Sequence, residues 1–147
     1  MIALVQRVTQ AQVRIAGAVV GEIGVGLLVF VCAERSDTGA IAAQMVAKLL
    51  KLRVFADAND TMNRSLVDVG GGLLLVSQFT LAADVASGNR PSFDAAAAAG
   101  QGRQLYEEVV RAARASHPNV ACGEFGADMQ VHLVNDGPVT IPLTIRA

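Results

Sequence analysis

Two short runs, residues 27–31 (Leu-Leu-Val-Phe-Val) and 73–77 (Leu-Leu-Leu-Val-Ser), carry no polar alternation. A strand with one wet face alternates, whereas a strand without alternation is buried on both faces. Two such strands need a covering layer on each side. The segment between them carries a helical pattern, which points to an α+β domain with mixed sheets. Neither run predicts a bilayer span: the longest apolar stretch, residues 25–33, has nine residues, against about 20 for a crossing helix.

Ser36 and Asp37 are N-cap candidates, and Ile41, Met45, Val46, Leu49 and Leu50 follow at helical spacing. A helix is expected at about 37–51. Leu105, Tyr106, Val109, Val110 and Ala113 predict a second helix over about 100–116, ended by Pro118. Strands are expected at 2–9, 12–16, 19–23, 53–56, 120–123, 129–133 and 139–145. In the sixth of these, Met129, Val131 and Leu133 alternate with Gln130 and His132; in the last, Pro142 implies an edge or a bulge. Residues 57–63 and 84–94 read as loops and 70–72 as a glycine turn. Asn135-Asp136-Gly137-Pro138 is a strong turn signal. No repeat or linker divides residues 1–147, so one domain with two main helices is expected.

Hydrophobic residues make up 52% of the chain and mean hydropathy is +0.43. With no membrane span to absorb that excess, a buried subunit interface, and hence a homo-oligomer, is expected. Twelve basic residues stand against thirteen acidic ones, net −1. This excludes a nucleic-acid binder working by bulk charge and leaves room for a local patch. Ten of the twelve basic residues are arginine, which suits phosphate contacts but follows equally from biased composition. Cys32 reads as a small core residue; no Cys/His spacing suggests zinc, and no metal or cofactor is expected. No basic, apolar leader is visible, so a cytoplasmic location is expected.

The standard catalytic arrangements are missing. There are two histidines: His117 sits at a helix end before a proline, and His132 on the polar side of a strand. No nucleophile elbow, phosphate loop or dinucleotide fingerprint occurs. Two segments remain. Ser77-Gln78-Phe79-Thr80-Leu81 ends a buried strand. It is either a terminal turn whose hydroxyls satisfy the backbone, or a cleft edge whose free N–H groups stabilise a developing oxyanion. Asn135–Thr140 is either an ordinary turn or part of a site. Arg7, on a largely apolar strand, either snorkels or needs buried partners.

Together these segments resemble the two signature motifs of the D-aminoacyl-tRNA deacylases. The resemblance extends to residues 1–8 (Met-Ile-Ala-Leu-Val-Gln-Arg-Val), 77–84, 88–93 (Gly-Asn-Arg-Pro-Ser-Phe) and 129–140, in order along essentially the whole chain. It implies barrel-like packing of the sheets and hydrolysis of the ester between a D-amino acid and the terminal ribose of tRNA. It also implies a homodimer in which a cis Gly137-Pro138 bond reaches into the partner's site. There, main-chain carbonyls would hold the substrate ammonium, and an L side chain would strike backbone. Glycyl-tRNA, lacking a side chain, would escape the filter. Arg7 would hold the Gly137 carbonyl. Ser77, Gln78, Phe79 and Thr80 would form the catalytic segment: the Phe79 N–H, with that of Thr80, binds the ester carbonyl, and Gln78 orients ribose or water. The substrate 2′-hydroxyl would handle the proton. Met129 and Phe79 are candidates for contact with the terminal adenosine, and Arg90 for a phosphate. Two alternatives stand beside this reading: a general aminoacyl esterase with Thr80 as nucleophile, and a non-catalytic nucleic-acid-binding dimer.

Overall fold

In the computed structural model, which describes residues 1–147, the two unalternating runs pair with each other. Strand β1 (Ile2–Ile15) is followed by β2 (Ala18–Ile23) and β3 (Gly26–Cys32). Then come helix α1 (Gly39–Lys51), the short strands β4 (Phe55–Ala56) and β5 (Met62–Arg64), and the one-turn helix α2 (Leu66–Val69). Strand β6 (Gly72–Ser77), a 3₁₀ turn (Phe79–Ala82), helix α3 (Ala99–Ser116), β7 (Val120–Cys122) and β8 (Gln130–Thr144) complete the chain. The main sheet runs β2-β1-β3-β6-β7, with β8 laid antiparallel along β1. β3–β6 and β6–β7 are parallel, and their crossovers carry the two long helices.

The missing alternation in β3 and β6 now has its reason. Leu27, Val29, Val31, Leu73 and Leu75 join one cluster with Met45, Leu49, Leu105 and Val109 of the helices. Leu28, Leu74 and Val76 face the other way, against Val8, Val13 and Ile23. That second face is covered by the sheet curling on itself, which is the barrel-like closure. β2 comes so near β7 that a Cβ on Gly21 would lie 2.8 Å from the Cys122 carbonyl oxygen. At the start of the parallel pair, a Cβ on Gly26 would overlap the Gly72 backbone, so glycine is required there.

Several expectations are corrected. Residues 2–9 and 12–16 form one strand, kinked by register shifts, because β8 pairs along both halves. For the same reason the turn expected at 135–138 does not separate two strands. β8 is continuous, and residues 136–139 bulge from it while pairing resumes at Gln6↔Thr140. Pro142 lies opposite Leu4 in β8, which has neighbours only on its β1 side, as an edge position allows. The cap of α1 is Thr38, whose hydroxyl accepts from the Ile41 N–H, and not Ser36 or Asp37. Asp37 is buried for another purpose. Its carboxylate accepts from the Met1 ammonium at 2.9 Å and from the Glu34 N–H at 2.7 Å. Residues 57–63 hold part of β5, and 66–69 an unexpected helix, closed by a reciprocal Ser65–Asp68 capping box.

The Tyr106 hydroxyl, buried under α3, faces the Leu75 carbonyl at 2.9 Å and that of Gly123 at 3.2 Å. Burial pushes its ionisation well above the usual tyrosine range. The neutral hydroxyl is therefore favoured in the fold, and its contribution is complete below the unfolded pKa, about 10, and lost as pH rises beyond it. Tyr106 is the sole tyrosine and there is no tryptophan. Phenolate absorbance near 295 nm should therefore appear only with alkaline unfolding; a transition near pH 10 in folded protein would contradict the burial. Asp37→Ala leaves the buried ammonium without its nearest carboxylate and should cost about 3–5 kcal/mol, measured by urea denaturation.

Candidate active site

Ligands of open α/β sheets gather beyond the carboxyl ends of parallel strands, and here β6 ends at Ser77. The Gln78 N–H closes the strand pair on the Val31 carbonyl at 2.8 Å. The chain then tightens into the 3₁₀ turn. The first bond inside it is from the Leu81 N–H to the Gln78 carbonyl, 3.3 Å. As opening residues of such a turn, Phe79 and Thr80 have N–H groups with no acceptor within it. The Gln78 side-chain amide donates to the Thr80 hydroxyl, which braces the turn from outside.

Beside this turn lies a cleft of about 580 Å³. Val76, Ser77, Gln78 and Phe79 form one wall, and Phe125, Met129 and Val131 another. Phe93 packs edge-on against Phe79, ring centroids 5.0 Å apart, and extends the apolar wall. Asp128 is the one ionisable side chain in the lining. Neither histidine is present. His117 is buried, with Nε2 2.6 Å from the Gly71 carbonyl oxygen, and His132 is exposed on β8. Burial, with Glu34 nearby, pushes the Cys32 thiol above its ordinary range, so it is no ready nucleophile. The cleft therefore offers backbone donors, an amide and apolar walls.

Arg7, Gly137 and Pro138 form a separate corner and do not line this cleft. The Arg7 guanidinium donates through Nη1 to the Val54 carbonyl (2.6 Å) and through Nε to the Asp136 carbonyl (3.3 Å). The expected acceptor, the Gly137 carbonyl, is displaced by one residue, because Asp136 is where the chain leaves the β1 ladder. The Asn135 side chain accepts from the Val139 N–H (3.2 Å) and donates to the Thr140 hydroxyl (2.8 Å), pinning both ends of the bulge. The Gly137-Pro138 bond is cis, and both residues are exposed.

Sequence reasoning thus placed Ser77, Gln78, Phe79 and Met129 in one cleft, with Thr80 behind Gln78. It missed Phe125 and Asp128, which sit in an irregular segment with no periodicity to mark them. Phe93 was noticed as part of a motif and not as a wall. Arg90 lies in the exposed loop between the 3₁₀ turn and α3, outside the cleft lining.

Residues 4–144 match the family model described as D-Tyr-tRNA(Tyr) deacylase. The chain belongs to this family. Curated relatives named D-aminoacyl-tRNA deacylase are 68% identical: one from Aromatoleum aromaticum over 99% of this chain and 95% of its own length, one from Variovorax paradoxus over 97% and 98%. These are hydrolases acting on an ester bond. Among solved structures, one described as c-Myc DNA Unwinding Element Binding Protein covers the whole of both chains at 40% identity and a TM-score of 0.95. A second, described as a probable eukaryotic D-amino acid tRNA deacylase, shares the fold at 19% identity and a TM-score of 0.82. In this family context the cleft and the corner are the two candidate parts of the deacylase site.

Gly137 has φ +128°, and a Cβ there would sit 2.9 Å from Val139 Cγ2 and 3.0 Å from the Val139 nitrogen. Gly137→Ala should therefore cost about 1–3 kcal/mol of local strain, read as a lowered urea midpoint. An unchanged midpoint would show that the corner relaxes freely.

Proposed function

We propose that the chain deacylates D-aminoacyl-tRNA as a homodimer, each protomer supplying the cleft of one site and the corner of the other. The reading rests on one observation: the corner is braced and exposed, yet it does not line its own chain's cleft. A second copy can bring the two together. The high apolar content and the open outer edge of β8 agree with such a pairing.

In the assembled site the ester carbonyl is polarised by the N–H groups of Phe79 and Thr80. Each such donor is worth about 2.7–4 kcal/mol where negative charge develops. Gln78 orients the terminal ribose or the attacking water, and Ser77 lines the floor. Met129 and Phe79, with Phe125, offer apolar contact to the terminal adenosine. The Gly137 and Pro138 main chain accepts from the substrate ammonium. With ammonium and ester both held, the two remaining α-carbon substituents have fixed directions. An L side chain meets backbone and a D side chain meets open space. Glycine has nothing to exclude, so glycyl-tRNA is a substrate too.

The cleft supplies no histidine, and the substrate's own 2′-hydroxyl takes the proton-handling role. Thr80 is an unpromising nucleophile, since its hydroxyl already accepts from Gln78 and no base adjoins it. Thr80→Val should keep most activity. Removing the 2′-hydroxyl from the substrate should lower the rate by about 10²-fold or more. Non-catalytic nucleic-acid binding is the other reading, and a relative named for DNA binding gives it a footing. It requires salt-sensitive binding that ignores the acyl group, which a net charge of −1 does not favour.

The deciding experiment follows deacylation of D-Tyr-tRNA and L-Tyr-tRNA by the purified protein. Loss of the D ester alone is expected. Equal rates would overturn main-chain exclusion, and no hydrolysis of either would overturn the enzyme reading.

A further inference from the structure

A second groove, of about 510 Å³, runs along α3 and meets the cleft at Phe125, which lines both. Arg103, Arg111 and Arg114 project into it from one helix face. At about 1.5 Å rise per residue they span roughly 16 Å. Arg103 lies over the Phe125 ring, 5.0 Å from its centroid, and so stands at the junction. Glu107 and Glu124 also line the groove, yet none of the three arginines has a carboxylate within 4.0 Å. The Arg114 guanidinium is 3.5 Å from the Cys122 sulfur and has no better partner. All three are exposed. The other basic side chains give no comparable track into the cleft, and Asp128 is the sole charge in the cleft itself.

We propose that this groove carries the backbone phosphates of the single-stranded 3′ end of the tRNA as it leaves the cleft. The inference rests on the deacylase reading above and adds to it a route for the RNA. An ester on the terminal ribose inside the cleft obliges the next phosphates to exit along one wall. The α3 wall offers arginines whose forked donors match phosphate and are not spent on carboxylates. Two glutamates in the same groove limit the net attraction, which suits a short strand and accords with a chain that is not basic overall.

The test compares kcat/KM for D-Tyr-tRNA with that for adenosine carrying the same D-tyrosyl ester, in wild type and in Arg111→Glu/Arg114→Glu. The reversal should lower the ratio of tRNA to adenosine ester by about tenfold or more, through KM. For tRNA, log(kcat/KM) against log salt should become shallower by about one unit. Arg111→Gln/Arg114→Gln should give a smaller change in the same direction, and thermal melting verifies that each variant is folded. Lys48→Glu/Lys51→Glu on α1 controls for net charge and should leave the ratio alone. An unchanged ratio and salt slope in the arginine variants, or an equal fall in the lysine variant, would overturn the route. A wild type inert toward both esters would overturn the deacylase reading and the route with it.

Discussion

The burial of β3 and β6 on both faces is the constraint from which the rest of the molecule follows. Strands with no solvent side need two layers, and this chain has only two long helices to provide them. Both lie on one face, where Leu27, Val29, Leu73 and Leu75 meet Met45, Leu49, Leu105 and Val109. The other face must be covered by sheet, so β1 bends and β8 follows it, and Leu28, Leu74 and Val76 close against Val8, Val13 and Ile23. Each fully buried aliphatic side chain of this kind contributes about 1.5–3 kcal/mol relative to exposure. The bending in turn leaves a gap where parallel β6 ends, and the cleft occupies it.

The two candidate halves of the site rest on different physics. The cleft side depends on a turn that begins where a strand ends, which frees the first N–H groups of Phe79 and Thr80. The corner depends on a bulge that must be held open. Arg7 anchors its start through the Asp136 carbonyl, while Asn135 spans it to Val139 and Thr140. Both recognition surfaces are main chain. Selectivity built on backbone does not require a shaped side-chain pocket, and single substitutions do not easily remove it.

Much of this was legible in the sequence, for identifiable reasons. Doubly buried strands and amphipathic helices leave strong patterns, so β3, β6, α1 and α3 could be read within a few residues. The long strands could not. The kink in β1 and the bulge in β8 are tertiary accommodations, and turn chemistry at Asn135-Asp136-Gly137-Pro138 looks the same inside a bulge as between two strands. Asp37 resembled a cap because capping and buried ion pairing use the same carboxylate. β5 and α2 are too short for any period to register. In the site, the motif residues were visible as motifs, while Phe125 and Asp128 come from an aperiodic stretch and join the cleft only when β7 and β8 are folded beside β6. The Arg7 anchor was foreseen but off by one carbonyl, since the point where a strand departs from its ladder is a property of pairing.

The central claim is that cleft and corner act across two chains, and subunit mixing tests it most directly. Phe79→Pro deletes one N–H from the cleft, at a position where a turn tolerates proline. Gly137→Trp blocks the corner. Each homodimer should be inactive on D-Tyr-tRNA. Co-expressed and purified as mixed dimers, they should regain activity, because one of the two sites then combines an intact cleft with an intact corner. Mixed dimers as inactive as their parents would contradict the account.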